Sequence, residues 1–229
     1  MRWELISRNI ADLADPPRPA KPEMRVWSSE QMKTFLTATE GERLGPVYVV
    51  MCTCGLRRGE ALGLRWQDVD LDGGRLSVRQ TLVSTGYKIE FGRPKTTKST
   101  RRISLDGHTV AVLRAWRKVQ LEERLAWGSA YQDADLVFPR EDGSPLHPQS
   151  LTKAFGRDAK AAGLPVIRLH DLRHSHATAA LAAGVNVKVI SERLGHSSVG
   201  ITMNCYQHVI PAMEEAAASK IASLIFGAS

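Results

Sequence analysis

The pattern of apolar and polar residues divides the chain into a helical first part, a strand-rich middle and a helical second part. Ser28, with Gln31 three residues later, forms a capping-box pattern that predicts a helix through about Thr39. A second helix is predicted from Pro46 to Cys54, where Gly55 ends the apolar run, and a short third one over RRGEALGL. The first part of the chain is therefore expected to consist of short helices.

Period-two alternation marks the middle of the chain. The segments RLSVRQTLV, YKIEF and RRISL alternate apolar with polar residues, and the turn-forming segments STG and GRPKTTKST separate them. They predict three short antiparallel strands in one small sheet. The preceding stretch WQDVDLDGG is interpreted as the turn into that sheet.

Helical spacing returns after the predicted strands. Asp106 can cap a helix from about Thr109 to Leu125, and Ser150 begins another that ends before Gly163. Glycines punctuate three more predicted helices, in HDLRHSHATAALAAG, VNVKVISERLG and SVGITMNCYQ, and an apolar stripe predicts a last one over residues 212–226. The fold class predicted is α+β, mainly helical with a small three-stranded antiparallel sheet.

Length and composition narrow the class of protein. The chain has 229 residues, 43% of them hydrophobic, so it can bury the core of one large or two small domains. No apolar run approaches the roughly 20 residues that span a bilayer, and the N-terminus lacks the apolar stretch of a signal peptide. Three cysteines without framework spacing favour a reducing compartment over disulfides. These features predict a cytoplasmic protein with no membrane partner.

Positive charge is concentrated in one segment. The formal net charge is +7, and between Lys88 and Lys118 nine Lys or Arg stand against Glu90 and Asp106, so this segment alone carries the net charge of the chain. Such a segment fits a polyanion such as nucleic acid, and it equally fits an ordinary solvated surface. Composition by itself leaves both interpretations open.

Six side chains have the chemistry to act together on a phosphate: Arg57, Lys95, His170, Arg173, His196 and Tyr206. The two guanidiniums can each donate parallel hydrogen bonds to phosphate oxygens, and the lysine can donate a proton. His170 lies three residues before Arg173, so the two share a helix face. Tyr206 is a weak nucleophile with an ordinary pKa near 10, and it needs cationic surroundings to react. Taken singly, each residue also has an ordinary structural interpretation, such as a solvated HxxR pair or a half-buried tyrosine.

Metal and nucleotide sites are disfavoured by the spacing of their usual ligands. Cys52 and Cys54 do not form a CxxC pair, and His170, His174 and His176 lack HExxH spacing. The segment from Asp68 to Asp72 alternates like a calcium loop but lacks the glutamate at the twelfth position. No GxxxxGK[ST] loop is present in the sequence. The sequence therefore predicts no metal and no cofactor.

Four ordered segments resemble the motif boxes of the tyrosine recombinase (phage integrase) family: CGLRRGEALGLRWQDVDL, GRPKTTKSTRRISL, LHDLRHSHATAALAAGVNVKVISERLGH and SSVGITMNCYQHV. The resemblance covers residues 25–209 and implies the tyrosine recombinase catalytic-domain fold. It implies Arg57, Lys95, His170, Arg173, His196 and Tyr206 as the catalytic residues. Glu60 matches an acidic position that supports the active site from behind.

The resemblance implies a reaction that agrees with the chemistry of these residues. Tyr206 would attack a DNA phosphodiester, form a 3′-phosphotyrosine and free a 5′-hydroxyl, without ATP or metal. Double-stranded DNA is the implied partner, and a phosphate-contacting role is expected for four hairpin residues: Arg93, Lys98, Arg101 and Arg102. A homotetramer on DNA is implied as well, with a monomer compatible in free solution and accessory DNA-bending or directionality factors as further partners. The family implies a prokaryotic source, in a phage, a mobile element or a chromosome, with the protein at the nucleoid.

The resemblance also divides the chain into three parts. Residues 1–25 are expected to be a linker and the remnant of an N-terminal DNA clamp domain, and residues 26–211 the catalytic domain. Residues 212–229 are expected to form a C-terminal helix for contacts between protomers. Two alternatives to recombination stay open: a DNA-binding module that does not recombine alone, and relaxation of supercoils in the manner of a type IB topoisomerase.

Overall fold

The computed structural model describes residues 25–86, 88–92, 100–196 and 198–200, together with 203, 222 and 225–227. The helices in this part of the chain are α1 (Ser29–Ala38), α2 (Gly45–Cys54), α3 (Arg58–Leu62), α4 (Gly107–Trp127), α5 (Pro148–Ala161), α6 (Asp171–Ala182) and α7 (Val187–Leu194). The strands are β1 (Val69–Asp70), β2 (Arg75–Val78), β3 (Thr81–Thr85), β4 (Lys88–Gly92) and β5 (Arg101–Ser104). The mainly helical α+β architecture predicted from the sequence is confirmed.

The caps predicted for the helices largely hold. The Ser28 hydroxyl accepts a hydrogen bond from the Gln31 amide at 3.2 Å, and the Gln31 side chain accepts one from the Ser28 amide at 3.0 Å. Asp106 caps α4 by accepting from the Thr109 amide at 3.0 Å. The predicted start of α5 at Ser150 is two residues late, because the helix begins at Pro148 and the His147 ring caps it.

The strands form two small antiparallel sheets. A three-stranded sheet is present, as predicted, but its order is β1-β2-β5, while β3 and β4 pair separately. The single strand predicted over RLSVRQTLV is therefore two strands, and the stretch interpreted as a turn contributes β1. The reason is that Leu76, Val78 and Leu82 are all buried, so the alternation continues unbroken while the hydrogen-bonding partner changes at Arg79.

Two glycines allow β3 to pack closely on α3. A Cβ added at Gly59 would lie 2.5 Å from the Leu82 carbonyl oxygen, and one at Gly63 would lie 2.9 Å from the Leu82 amide nitrogen. Both values are well inside normal van der Waals contact, so larger side chains would push the strand away. The glycines of LRRGEALGL thus fix the helix that begins directly after Arg57.

The main hydrophobic core contains a cluster of four aromatic rings: Trp27, Phe35, Tyr48 and Phe155. Their centroids lie 5.0–5.9 Å apart in tilted or edge-to-face arrangements, which favour ring contact. The cluster joins α1, α2 and α5. A smaller cluster between α6 and α7 contains Ala177, Leu181, Ile190 and Leu194.

Parts of the sequence prediction lie outside the described residues. They include most of the helix predicted in SVGITMNCYQ and most of the apolar stripe over residues 212–226. Among the helices that the structure describes, none has the length and apolar character needed to cross a membrane.

Candidate active site

A tight turn between α2 and α3 positions Arg57. Gly55 ends α2 in the left-handed conformation with φ +64°, and Leu56 is fully buried, so Arg57 emerges at the N-terminal end of α3. A Cβ at Gly55 would lie 2.6 Å from Leu194 Cδ2 and 2.8 Å from His176 Cδ2. Glycine is therefore required here by both the backbone angle and the close approach of α6 and α7.

Glu60 fixes the orientation of Arg57. One carboxylate oxygen accepts from the Arg57 amide at 2.9 Å, and the other accepts from Arg57 Nη1 at 2.7 Å. The glutamate side chain is 4% exposed while that of Arg57 is 37% exposed. The carboxylate thus holds one edge of the guanidinium from below and leaves part of it accessible.

The charge on Glu60 is maintained by two arginines. Burial alone would raise the pKa of this carboxyl, but hydrogen bonds and charge from Arg101, together with Arg57, outweigh burial and lower the pKa to about 2. Glu60 is therefore ionised at neutral pH. The site keeps a buried negative charge between two positive ones.

Arg173 ties the ends of two helices together. It lies in the first turn of α6, is 2% exposed, and donates to the Gly55 carbonyl at 2.7 Å and to the Leu194 carbonyl at 2.5 Å. These carbonyls lie where α2 and α7 end, and the C-terminal ends of helices carry partial negative charge. The guanidinium thus holds the C-terminal ends of α2 and α7 next to the start of α6.

His196 follows the end of α7. Gly195 caps the helix with φ +66°, and its carbonyl accepts from Arg57 Nη2 at 3.4 Å. The segment Leu194–His196 therefore receives a hydrogen bond from both Arg57 and Arg173 and presents the histidine beside them. Burial, followed by the charges of Arg173 and Arg57, lowers the pKa of His196 to about 4, so its imidazole is neutral at pH 7.

His170 stands at the N-terminal end of α6. Its ring meets His174 edge-to-face with centroids 5.1 Å apart. Desolvation by the surrounding protein, followed by the charges of His174 and Arg173, lowers the pKa of His170 to about 4. Although its side chain is open to solvent on one side, the ring is neutral at pH 7 and able to accept a proton.

The remaining predicted residues divide into two groups. Four lie outside the described residues: Arg93, Lys95, Lys98 and Tyr206. Of the other two, Arg102 is exposed on β5, whereas Arg101 is turned inward and bonded to Glu60 at 2.8 and 3.1 Å. An outward phosphate contact was expected of both, and only Arg102 has that orientation in the structure.

Sequence reasoning missed the inward position of Arg101 and the role of Arg193. Arg193 donates to the Ser104 carbonyl at 3.1 Å and to the Thr53 carbonyl at 2.9 Å, and so links α7 with β5 and α2. The signal for Arg101 was present, because Ile103 is the buried apolar position of β5 and Arg101 lies two residues before it on the same face.

Metal ligation has no support within the described residues, where no group of three or more His, Cys, Asp or Glu could hold an ion. Cys52 and Cys54 are both buried free thiols. Burial raises the pKa of the Cys52 thiol to about 12, which disfavours the thiolate that a metal would bind.

Comparison with known proteins identifies the family of the chain. The model of the phage integrase family matches residues 25–213. A tyrosine recombinase XerC-like protein of Caldanaerobacter subterraneus subsp. tengcongensis is 34% identical over 201 residues, covering 82% of this chain and 51% of that protein. The ICEBs1 integrase of Bacillus subtilis is 29% identical over 224 residues, covering 97% of this chain and 61% of that protein. The chain thus spans about half to three-fifths of the length of these relatives.

Solved structures share the fold. The Tn1549 transposon integrase, in complex with transposon right end DNA, superposes with a TM-score of 0.72 at 23% identity, over 93% of this chain and 71% of that one. The XerA recombinase gives a TM-score of 0.68 at 22% identity, over 90% and 67% of the two chains. Together with the ordered motifs and the clustered arginines, these matches place the chain in the phage integrase family of tyrosine recombinases.

Proposed function

We propose that this chain is the strand-transferring part of a site-specific DNA recombinase, and that Tyr206 links covalently to DNA during the reaction. The observation that best supports this is that Arg57 and Arg173 both donate hydrogen bonds to the segment Leu194–His196, which carries His196. The partly exposed Arg57 guanidinium and the His196 imidazole, with the positive charge of the buried Arg173 next to them, suit a single phosphate. Relatives named tyrosine recombinase and integrase support the same assignment.

In the first step, the Tyr206 hydroxyl oxygen attacks the phosphorus of one DNA strand. A 3′-phosphotyrosine bond forms, and the bond from phosphorus to the 5′ oxygen breaks. His170 takes the tyrosine proton, and Lys95 gives a proton to the departing 5′ oxygen. The neutral state of His170 at pH 7 suits this role, and a phosphate anion bound nearby would raise its pKa from about 4 and strengthen it as a base.

In the second step, the 5′-hydroxyl oxygen of another strand attacks the phosphorus, and the bond from phosphorus to the Tyr206 oxygen breaks. Lys95 takes the hydroxyl proton, and His170 returns a proton to the tyrosine oxygen. Arg57, Arg173 and His196 stabilise the additional negative charge that the phosphate carries in both transition states. Glu60 holds Arg57 in place through its two hydrogen bonds. One phosphodiester replaces another throughout, so neither ATP nor a metal is needed.

Double-stranded DNA is the proposed substrate. Arg93, Lys98 and Arg102 are proposed to contact flanking phosphates, which position the protein without reading the sequence. We propose that residues 26–211 form the catalytic domain, that residues 1–25 are a linker and the remnant of an N-terminal DNA clamp domain, and that residues 212–229 join protomers in a tetramer on DNA. The proposed location of the protein is the bacterial cytoplasm, since the named relatives come from bacteria and phages.

Covalent capture of DNA tests the proposal directly. A library of nicked duplexes with random central sequence is incubated with the protein, and DNA bound covalently after denaturation is recovered and sequenced. A nick beside the cleaved bond lets the short 5′-hydroxyl fragment diffuse away, so the phosphotyrosine accumulates. Wild type should yield a labelled adduct, and Tyr206→Phe should yield none while keeping DNA affinity. An equal yield from both proteins would overturn the assignment of Tyr206.

A DNA-binding part that does not recombine alone is the second candidate, because the basic segment from Lys88 to Lys118 would serve DNA binding without cleavage as well. This candidate predicts DNA binding without any adduct from the wild-type chain. Adduct formation with relaxation of supercoiled plasmid, but without joining of two different duplexes, would instead indicate topoisomerase-like activity.

A further inference from the structure

Arg101 occupies an unusual position behind the candidate site. Its guanidinium faces the Glu60 carboxylate with Nη1 3.1 Å from one oxygen and Nη2 2.8 Å from the other. The two side chains are 6% and 4% exposed. A parallel pair of charge-assisted hydrogen bonds of this kind fixes the orientation of the carboxylate as well as its charge.

The oxygen nearest Arg57 is shared. Glu60 Oε1 accepts both from Arg57 Nη1 at 2.7 Å and from Arg101 Nη1 at 3.1 Å. Glu60 Oε2 accepts from the Arg57 amide at 2.9 Å. Rotation of the carboxylate would therefore break the contacts to the main chain and to the guanidinium of Arg57 together.

Arg101 is anchored on its other side to α7. Its Nε donates to the Arg193 carbonyl at 2.6 Å, and a Cβ added at Gly195 would come within 3.0 Å of the Arg101 side chain. The same Gly195 carbonyl receives the hydrogen bond from Arg57. Arg101 thus bonds to Glu60, one acceptor that orients Arg57, and lies close to Gly195, whose carbonyl is the other.

We infer that Arg101 is a positioning residue for phosphoryl transfer, acting through Glu60 and the end of α7 to hold the Arg57 guanidinium toward the phosphate. This inference rests on the proposed function. It assigns to Arg101 a role in orienting a catalytic cation rather than a contact with DNA. It also predicts that a charge-neutral residue of similar length cannot replace Arg101.

The order of the Arg57 side chain tests the inference without DNA. In ¹⁵N-labelled full-length protein, the heteronuclear NOE of the Arg57 Nε–Hε group should indicate a rigid side chain in wild type and a mobile one in Arg101→Gln. Arg65→Gln is the matched control, because Arg65 also pairs with a buried carboxylate, Asp68, at 2.7 Å, and removing it should leave Arg57 rigid. An Arg57 signal that is equally rigid in Arg101→Gln would overturn the inference.

The rate of adduct formation supplies the second readout, on the duplex recovered by covalent capture. Arg101→Gln should slow single-turnover cleavage of the natural phosphate by about 30-fold, less than the roughly 100- to 1,000-fold cost of losing a direct charge-stabilising donor. On the same duplex with an uncharged methylphosphonate at the cleaved position, the loss should be less than about threefold, because the reacting group carries one negative charge fewer there. Arg101→Lys keeps the charge but not the paired geometry, so its cleavage rate on the natural phosphate should lie between those of wild type and Arg101→Gln.

The outcomes separate the two proposals. No adduct from wild type would overturn the proposed function, while the Arg57 measurement would still decide the positioning role. An adduct from wild type with equal losses on phosphate and methylphosphonate in Arg101→Gln would show general structural damage and overturn the positioning role alone.

Discussion

The aromatic cluster and the arginine site are held together by different forces, although both contact α2 and α6. Tyr48 enters the aromatic cluster from the first turn of α2, while Gly55 ends the same helix at the arginine site. On α6, the Ser175 hydroxyl accepts from the Trp27 amide at 2.9 Å beside the aromatic cluster. Arg173 of the same helix donates to the Gly55 carbonyl at the arginine site. Ring contacts and apolar burial stabilise the first region, while charge-assisted hydrogen bonds, many of them to main-chain carbonyls, organise the second.

The two regions should therefore respond differently to substitution. Loss of a ring leaves a cavity and lowers the free energy of unfolding, whereas loss of the Arg57 guanidinium removes a charge from the proposed reaction. Variants of the aromatic cluster should change the free energy of unfolding at a nearly constant cleavage rate, and truncation of the partly exposed Arg57 should do the reverse.

The largest expected effect is on stability. Phe155 is 1% exposed and contacts three aromatic rings, so Phe155→Ala should lower the free energy of unfolding by about 4 kcal/mol through lost burial and a cavity. Phe91→Ala removes a ring that is 42% exposed and should cost much less. Urea denaturation measures both. Equal losses for the two variants would contradict the assignment of the cluster as core.

A somewhat smaller effect is expected on rate. Arg57→Gln should slow adduct formation by about 100- to 1,000-fold, because it removes an oriented donor to the developing charge. Arg58→Gln is the matched control, since the adjacent Arg58 donates to Thr152 Oγ1 at 2.8 Å and faces α5 instead. Single-turnover cleavage compares the two variants. A slower reaction in Arg58→Gln than in Arg57→Gln would reverse the proposed roles.

One substitution should disturb both properties together. Gly55→Ala places a methyl group 2.6 Å from Leu194 Cδ2 at a φ of +64°, and it should lower the free energy of unfolding by about 2 kcal/mol and also the cleavage rate. Gly41 has φ +79° with no atom within 4 Å of an added Cβ, so Gly41→Ala isolates the cost of the backbone angle. Thermal unfolding of the two variants should differ by the cost of the steric clash.

The smallest effect expected is a dependence of stability on pH. Burial, followed by the charge of Arg193, lowers the pKa of His176 to about 4 from 6.5. Between pH 7 and pH 5 the unfolded chain therefore gains a proton on His176 that the folded chain does not, and stability falls as the pH falls. His176→Gln removes this contribution, so its free energy of unfolding should decrease by roughly 2 kcal/mol less than that of wild type over this range. Urea denaturation at pH 7 and at pH 5 measures the decrease for each protein. The same decrease in wild type and in His176→Gln would refute the assignment.

Local signals in the sequence were enough to predict several elements. The capping box at Ser28, the cap at Asp106 and the stop at Gly55 all act within four residues, so their effect is visible in the sequence. The division of the middle segment into β2 and β3 was not predictable in this way. Alternation reports which side chains face inward, but it carries no information about which distant strand supplies the hydrogen bonds.

The candidate site was predictable in its residue types and not in its contacts. The order of the motifs placed Arg57, His170, Arg173 and His196 in one set, and the structure brings the two arginines and His196 to the same end of α7. The pairing of Arg101 with Glu60 joins positions 41 residues apart, and no short-range pattern specifies it. The main-chain acceptors of Arg173 have no sequence signature, because every residue has a carbonyl group.

That use of carbonyl groups has a consequence for how the protein can change over evolutionary time. Leu194 and Gly195 accept hydrogen bonds from Arg173 and Arg57 through main-chain atoms that exist in all twenty amino acids, so the acceptor atoms do not depend on the type of side chain. A change of chain length acts differently. One residue inserted into or deleted from α7 turns everything after it by about 100° and moves it about 1.5 Å along the axis. The site should therefore be more sensitive to insertions or deletions in the eight-residue helix α7 than to exchange of one apolar side chain for another at the buried position 194.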